Sequence, residues 1–118
     1  MNRIEIEIYE YDGVTGLVLV GRLDESTAPA LSDEISRLLG TGVTKFVIDL
    51  ARLDFMSSAG LGIFVGAAQS VREKKGDIKL ARPTAFVQRL LGVMGFDDLF
   101  QVFDSSESAV AAFRGSAR

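Results

Sequence analysis

Residues 55–62 have the sequence Phe-Met-Ser-Ser-Ala-Gly-Leu-Gly, and they mark the change from a short strand to a long helix. An apolar, strand-like segment at residues 45–50 comes just before them. Apolar side chains then recur at the spacing of one helix face, at Leu61, Phe64, Val65, Ala68 and Val71. Ser57 and Ser58 therefore lie at the start of a helix, where serine is a preferred N-cap and a partial charge of about +0.5 favours an anion.

Three glycines follow the two serines, at Gly60, Gly62 and Gly66. Glycine costs a helix about 1 kcal/mol relative to alanine, so two glycines in a first turn indicate that another surface approaches the backbone there. Gly62 and Gly66 are four residues apart and share a helix face that lies away from the apolar stripe. That face either packs closely within the domain or forms a flat docking surface beside Ser58, and the residues alone favour neither interpretation.

The remainder of the chain alternates strands with helices, which is typical of an α/β fold. Isoleucine alternates with charged residues over residues 3–8, which predicts a half-exposed strand near a sheet edge. Asp12-Gly13 predicts a hairpin turn into residues 17–20, an apolar run that we expect to be buried on both faces. Further strands are predicted at residues 46–48, 78–81 and 101–103, and helices are predicted to begin near residues 27, 58, 84 and 105. In the third helix, Phe86, Val87, Leu90 and Leu91 are predicted to face the core.

The length of 118 residues predicts one domain, with a core over about residues 4–113. A hydrophobic content of 47% with 25% charged residues is typical of a soluble globular protein. No apolar run approaches the roughly 20 residues of a membrane span, and the polar, charged N-terminus is not a signal peptide, so we expect no membrane insertion and a cytoplasmic location. The net charge of −3 disfavours a direct nucleic-acid binder.

The chain contains no Cys and no His. The first absence excludes disulfides, thiolate nucleophiles and Cys-based zinc sites, and the second excludes Ser-His triads and the commonest metal ligand. No Gly-x-Ser-x-Gly motif is present, and the spacing of the glycines at 60, 62 and 66 does not match a dinucleotide-binding fingerprint. We therefore expect a protein that is not an enzyme and that holds no cofactor and no metal.

Two aspartates follow predicted buried strands. Asp49 closes a strand, and we interpret it as a carboxylate that caps nearby loop amides rather than as a catalytic group. Asp24 lies in the loop before the first helix, where an aspartate is most often a cap as well.

Three segments together resemble the STAS domains. They are residues 21–27, which include Asp24, residues 48–50, and above all residues 55–62. Within that family the chain is most similar to the bacterial anti-sigma-factor antagonists, over about residues 4–113. The resemblance implies a single STAS-type domain over residues 1–118, with a mixed β-sheet and helices packed mainly on one side.

The resemblance also implies a phosphorylation site. In the antagonists the phosphorylated serine lies two places before the first glycine of Gly-Leu-Gly, which is Ser58 here, and Ser57 is the alternative. An aspartate often precedes that serine in the family, whereas this chain has Ser57. A serine or threonine often follows it, whereas this chain has Ala59, which cannot be phosphorylated. The partner-binding surface implied by the resemblance contains Asp24, Ser57, Ser58, Gly60, Gly62 and Gly66.

By the same resemblance, the unphosphorylated protein would bind an anti-sigma factor that is itself a serine kinase, and would so release a sigma factor. A serine phosphatase would reverse the phosphorylation. The alternative is a STAS scaffold subunit of a signalling assembly or of a lipid-transport complex. A phosphoacceptor of the receiver type is disfavoured because residues 21–24 lack the paired acidic side chains that would hold Mg²⁺. A homodimer is compatible with the sequence.

Overall fold

A computed structural model describes the backbone of residues 3–116 and the side chains of residues 3–114. Six strands and four helices follow one another along this part of the chain. They are β1 (Ile4–Tyr11), β2 (Val14–Leu23), α1 (Ala28–Gly40), β3 (Lys45–Asp49), β4 (Leu53–Met56), α2 (Ser58–Glu73), β5 (Asp77–Ala81), α3 (Ala85–Val93), β6 (Val102–Phe103) and α4 (Ser106–Ser116).

The strands form one mixed sheet in the order β1-β2-β3-β5-β6. The edge strand β1 pairs antiparallel with β2 through the Asp12-Gly13 turn, and the other pairings are parallel. Strand β4 lies off this path and pairs with the far end of β2, where Arg22 is opposite Phe55 and Leu23 is opposite Met56. The predicted mixed α/β sheet with a leading hairpin is thus confirmed.

The two faces of the sheet are covered unequally. The large core lies on the face covered by α1, α2 and α3, where it includes fully buried side chains such as Leu17, Phe46 and Leu61. Helix α4 covers the other face through a small cluster that includes Val47, Val110 and Phe113. The prediction that the helices pack mainly on one side is confirmed.

Strand β4 was not predicted, because residues 51–54 were interpreted only as a brief link between the strand at residues 45–50 and Phe55. The four residues of β4 are too few to show a clear alternation, and they are held by the far end of β2 after a register shift between Gly21 and Arg22. The prediction that residues 17–20 of β2 are buried on both faces of the sheet is also partly wrong. Leu17 and Leu19 are fully buried, but Val18 and Val20 are only half-buried, since the α4 cluster reaches β2 only at Val14.

Helix α3 buries fewer side chains than predicted. Val87 and Leu91 are buried, Leu90 is half-buried, and 46% of Phe86 is exposed. The prediction that Phe86 faces the core is therefore wrong. Periodicity showed which faces of α3 are apolar, but not how wide a stripe the neighbouring elements would cover. No helix in residues 3–116 is long and apolar enough to cross a lipid bilayer.

Candidate functional site

The junction between β4 and α2 is fixed by Ser57. This residue is the N-cap of α2, and its Oγ accepts a hydrogen bond from the Gly60 N–H at 3.0 Å. The Ser57 N–H in turn donates to the Leu23 carbonyl oxygen at 2.9 Å, which ties the helix start to the end of β2. The Ser57 hydroxyl is half-buried and already engaged in the structure of the helix terminus.

The neighbouring serine has a different environment. Ser58 is the first residue of α2 and its side chain is exposed. Within residues 3–116 its hydroxyl makes no hydrogen bond, and it lies where the unpaired N–H groups of the first turn stabilise an anion. Of the two serines, Ser58 is the one whose hydroxyl is both accessible and unengaged.

Gly60 lies where the first turn of α2 presses against the end of β2. A Cβ atom added at Gly60 would be 2.5 Å from the Leu23 carbonyl oxygen and 2.9 Å from the Asp24 Cα. Both of these are backbone atoms, so they could not rotate away. The expected close approach of another surface is confirmed at Gly60, which lets α2 begin directly against the Leu23–Asp24 backbone.

Gly62 and Gly66 have the opposite environment. Both are exposed, and a Cβ atom added at either one would meet no heavy atom within 4 Å. Close packing within the domain is therefore wrong for this pair, and no described residue of the domain approaches the backbone at Gly62 as one does at Gly60. With Ser58 and the exposed Ser70 they form one line along the helix, about 18 Å long at 1.5 Å per residue. We call these four residues the α2 outer face.

Asp24 is buried in the loop that follows β2. Its carboxylate accepts hydrogen bonds from the Ser26 N–H at 2.9 Å, the Ser26 hydroxyl at 2.7 Å and the Thr27 N–H at 3.1 Å. The hydrogen bond from the Ser26 hydroxyl is the main reason that the pKa of Asp24 lies below its ordinary value, and the two backbone N–H donors act in the same direction. Asp24 thus caps the amides of the loop before α1, although the N-cap residue of α1 itself is Thr27. The Asp24 backbone also lies against Gly60.

Asp49 caps the loop that follows β3, and it does more than predicted. Its carboxylate accepts from the Ala51 N–H at 3.0 Å, from Arg82 Nη2 at 2.7 Å and from the Ser106 hydroxyl at 3.2 Å. The hydrogen bond with Asp49 raises the pKa of Arg82. The buried Asp49 thus connects β3 to the end of β5 and to the start of α4, a contact between distant segments that no local motif indicates.

A stack of three side chains lies beside the β4–α2 junction. The Arg22 guanidinium carbon is 4.3 Å from the centre of the Phe55 ring, and the Phe55 ring stacks on Phe86 with centroids 5.6 Å apart. Arg22 Nε also lies 4.0 Å from a carboxylate oxygen of Asp24. Sequence analysis did not identify this stack, because it depends on the β2–β4 pairing and on the contact of α3 with β4.

The structure therefore brings Ser57, Ser58, Gly60 and Asp24 together at one end of the sheet, and Gly62 and Gly66 continue from there along α2. Among the described residues, no group of three or more His, Cys, Asp or Glu side chains is arranged to hold a metal ion. The geometry is that of an exposed hydroxyl at a rigid helix start beside an uncovered helix face, which suits reversible modification and protein binding.

Comparison with known proteins places this geometry in a family. The chain is 31% identical over 111 residues to a protein of Bordetella bronchiseptica named "Putative anti-sigma factor antagonist BtrV". This alignment covers 94% of this chain and 96% of BtrV. It is 29% identical to the anti-sigma-F factor antagonist RsfB of Mycobacterium tuberculosis, covering 95% of this chain and 91% of RsfB. The crystal structure of an anti-sigma factor antagonist from Mycobacterium paratuberculosis superposes with a TM-score of 0.83, at 26% identity and 94% coverage of both chains.

A family model described as the STAS domain matches residues 5–109, which is most of the chain. The match contains Asp24, both serines and the whole α2 outer face. The chain therefore belongs to the STAS domain family.

Proposed function

We propose that this protein is an anti-sigma-factor antagonist whose binding is switched off by phosphorylation of Ser58. It acts by binding and not by catalysis: it occupies an anti-sigma factor and so releases a sigma factor. The observation that carries the proposal is the contrast between the two serines. The Ser57 hydroxyl accepts the N-cap hydrogen bond, whereas Ser58 presents an unengaged hydroxyl to solvent at the same helix start.

The partner contacts the α2 outer face together with the loop at Asp24. Because Gly62 and Gly66 have no side chains, a partner can approach the α2 backbone closely along this line, with Ser58 at one end. Gly60 and Asp24 act indirectly, since they set the position of the helix start relative to β2. Ser57 belongs to the same surface, because it is the N-cap that holds Ser58 in place.

Phosphorylation adds about −1.5 to −2 charges to Ser58. At the start of α2 this charge is tolerated by the fold, because the free N–H groups and the helix dipole both favour an anion. In a closed interface the same charge must lose its water, which is costly without a matching cation. A hundredfold loss of affinity needs only about 2.7 kcal/mol, so one phosphate suffices to break the complex.

The enzymes of the switch belong to the same proposal. The anti-sigma factor is itself a serine kinase that phosphorylates Ser58 while bound, and a separate serine phosphatase restores the binding form. The cycle takes place in the cytoplasm, where sigma factors act.

Direct titration tests this function. Each anti-sigma factor of the source organism would be purified and titrated with the wild-type protein, Ser58→Ala and Ser58→Asp. We expect at least one of them to bind the wild type and Ser58→Ala alike, and to bind Ser58→Asp about a hundredfold more weakly. Ser108→Asp is the matched control, because it adds the same charge at an exposed serine of α4, on the other face of the sheet.

The control should bind as the wild type does. Wild-type protein that binds none of these anti-sigma factors would refute the proposed function. Equal affinities of the wild type and Ser58→Asp would refute the switch.

A further inference from the structure

Helix α3 has more apolar surface than the core uses. Its buried side chains, Val87 and Leu91, form only one row. A second row at positions i, i+4 and i+7 contains Phe86, Leu90 and Val93. Leu90 is half-buried and packs against the core, whereas Phe86 is 46% exposed and Val93 is 77% exposed. This outer row extends about 10 Å along the helix, and among residues 3–114 only the Phe86 end is stacked on another ring.

That stacked end joins the outer row of α3 to the site around Ser58. Phe86 packs on Phe55, which lies in β4 two residues before Ser57, and the Arg22 guanidinium also lies over the Phe55 ring. Strand pairing between Arg22 and Phe55 holds this arrangement in a fixed register. Arg22, Phe55 and Phe86 therefore form one surface, called here the Arg–Phe surface, that continues directly into the β4–α2 junction.

The chemistry of the Arg–Phe surface is that of a protein-binding surface. Exposed aromatic and arginine side chains are enriched among the residues that dominate binding energy at interfaces. The guanidinium of Arg22 lies against the ring of Phe55, and its side chain is 46% exposed, so an added carboxylate can reach its donors from solvent. The Asp24 carboxylate is 4.0 Å away and is hydrogen-bonded within its own loop, so its contact with Arg22 is loose.

We propose that the Arg–Phe surface is a second contact for the anti-sigma factor that binds the α2 outer face. The partner presents a carboxylate to Arg22 and, next to it, an apolar side chain that covers Phe86. This inference rests on the proposed function, because it assigns the same partner to both surfaces. It adds a charge-complementary contact that lies outside the family's phosphorylation motif.

Binding measurements on surface variants test the inference. Phe86→Ala and Arg22→Glu would be titrated with each purified anti-sigma factor of the source organism, beside the wild type and Ser58→Asp. We expect Phe86→Ala and Arg22→Glu each to weaken binding about tenfold or more. Arg22→Glu should also lower the association rate, and raising the salt concentration should reduce this difference in rate.

Two variants outside the Arg–Phe surface serve as matched controls for Phe86→Ala and Arg22→Glu. Ile8→Ala removes an apolar side chain that is also 46% exposed, on the edge strand β1. Arg52→Glu reverses a charge on a side chain that is 57% exposed and that pairs with Glu7. Both controls should bind within twofold of the wild type, and circular dichroism should show that every variant is folded. Arg22→Glu keeps the test decisive if Phe86→Ala unfolds.

The outcomes separate the two proposals. If Ser58→Asp weakens binding while Phe86→Ala and Arg22→Glu bind like the wild type, the proposed function stands and the Arg–Phe surface is refuted as a contact. If the wild type binds no anti-sigma factor, both proposals are overturned. Weaker binding by Phe86→Ala and Arg22→Glu as well as by Ser58→Asp, with Ile8→Ala and Arg52→Glu unchanged, supports the second contact.

Discussion

Alanine at Gly60 provides a sharp test of how the start of α2 is positioned. The new Cβ would be 2.5 Å from the Leu23 oxygen, 2.8 Å from the Leu23 carbonyl carbon and 2.9 Å from the Asp24 Cα. Separations under 3.0 Å are essentially never seen for a Cβ, and these three atoms belong to the backbone. The first turn of α2 must therefore move away from β2, and the Ser57 contact with Leu23 must lengthen.

The magnitude follows from a comparison with Gly62→Ala. Overpacking of this kind costs about 1–3 kcal/mol, whereas Gly62→Ala meets no atom within 4 Å and gains up to about 1 kcal/mol of helix propensity. Both variants share the propensity gain, so Gly60→Ala should be less stable than Gly62→Ala by about 1–3 kcal/mol. For a chain of 118 residues this difference corresponds to about 4–12 °C in Tm.

Thermal and urea unfolding followed by far-ultraviolet circular dichroism would measure both variants, since the chain has no Trp to report by fluorescence. Gly62→Ala should unfold at or above the Tm of the wild type, and Gly60→Ala should unfold below it. The partner should also bind Gly60→Ala more weakly, because Ser58 moves with the displaced turn. If Gly60→Ala proves as stable as Gly62→Ala, the close approach of α2 to β2 is refuted.

Three further variants test other parts of the site. Ser57→Ala removes the N-cap of α2 and should lower the free energy of unfolding by about 1 kcal/mol; unchanged stability would show that the cap is dispensable. Gly66→Arg should fold with a Tm at or above that of the wild type, because this position is open, and yet lose partner binding; normal affinity would remove the α2 outer face from the interface. Because the folded-state pKa of Asp24 lies below the ordinary 3.8, its carboxylate stabilises the fold above about pH 4, and this contribution is lost as the pH falls through the folded value. The gap in unfolding free energy between wild type and Asp24→Asn should therefore be full at pH 7 and close in acid, and a gap independent of pH would contradict the assignment.

Sequence patterns predicted the parts of the fold that depend on local information. Alternation of Ile with charged residues identified β1 as a half-exposed strand, and Asp12-Gly13 identified the turn that makes the sheet mixed. The serines and the helical spacing that begins at Leu61 located the start of α2 to within a residue. In these places propensity, periodicity and turn chemistry all agree.

The remaining features depend on contacts between distant segments. Strand β4 exists because the far end of β2 holds it after a register shift. Phe86 is exposed because the neighbours of α3 bury Val87 and Leu91 fully and cover Leu90 only in part. The sequence also could not predict that Gly60 is crowded and Gly62 is open, since both are glycines in one helical turn. Only the backbone at Leu23–Asp24 distinguishes the two positions.

The central claim is that Ser58 is the switch, and phosphosite mapping tests it most directly. The purified protein would be incubated with ATP and the anti-sigma factor that binds it, then digested and analysed by mass spectrometry, together with Ser57→Ala and Ser58→Ala. We predict phosphate on Ser58 in the wild type and in Ser57→Ala, with loss of the complex as the phosphate appears, and no phosphate on Ser58→Ala. Phosphate on Ser57 alone, or full phosphorylation of Ser58→Ala, would contradict the account.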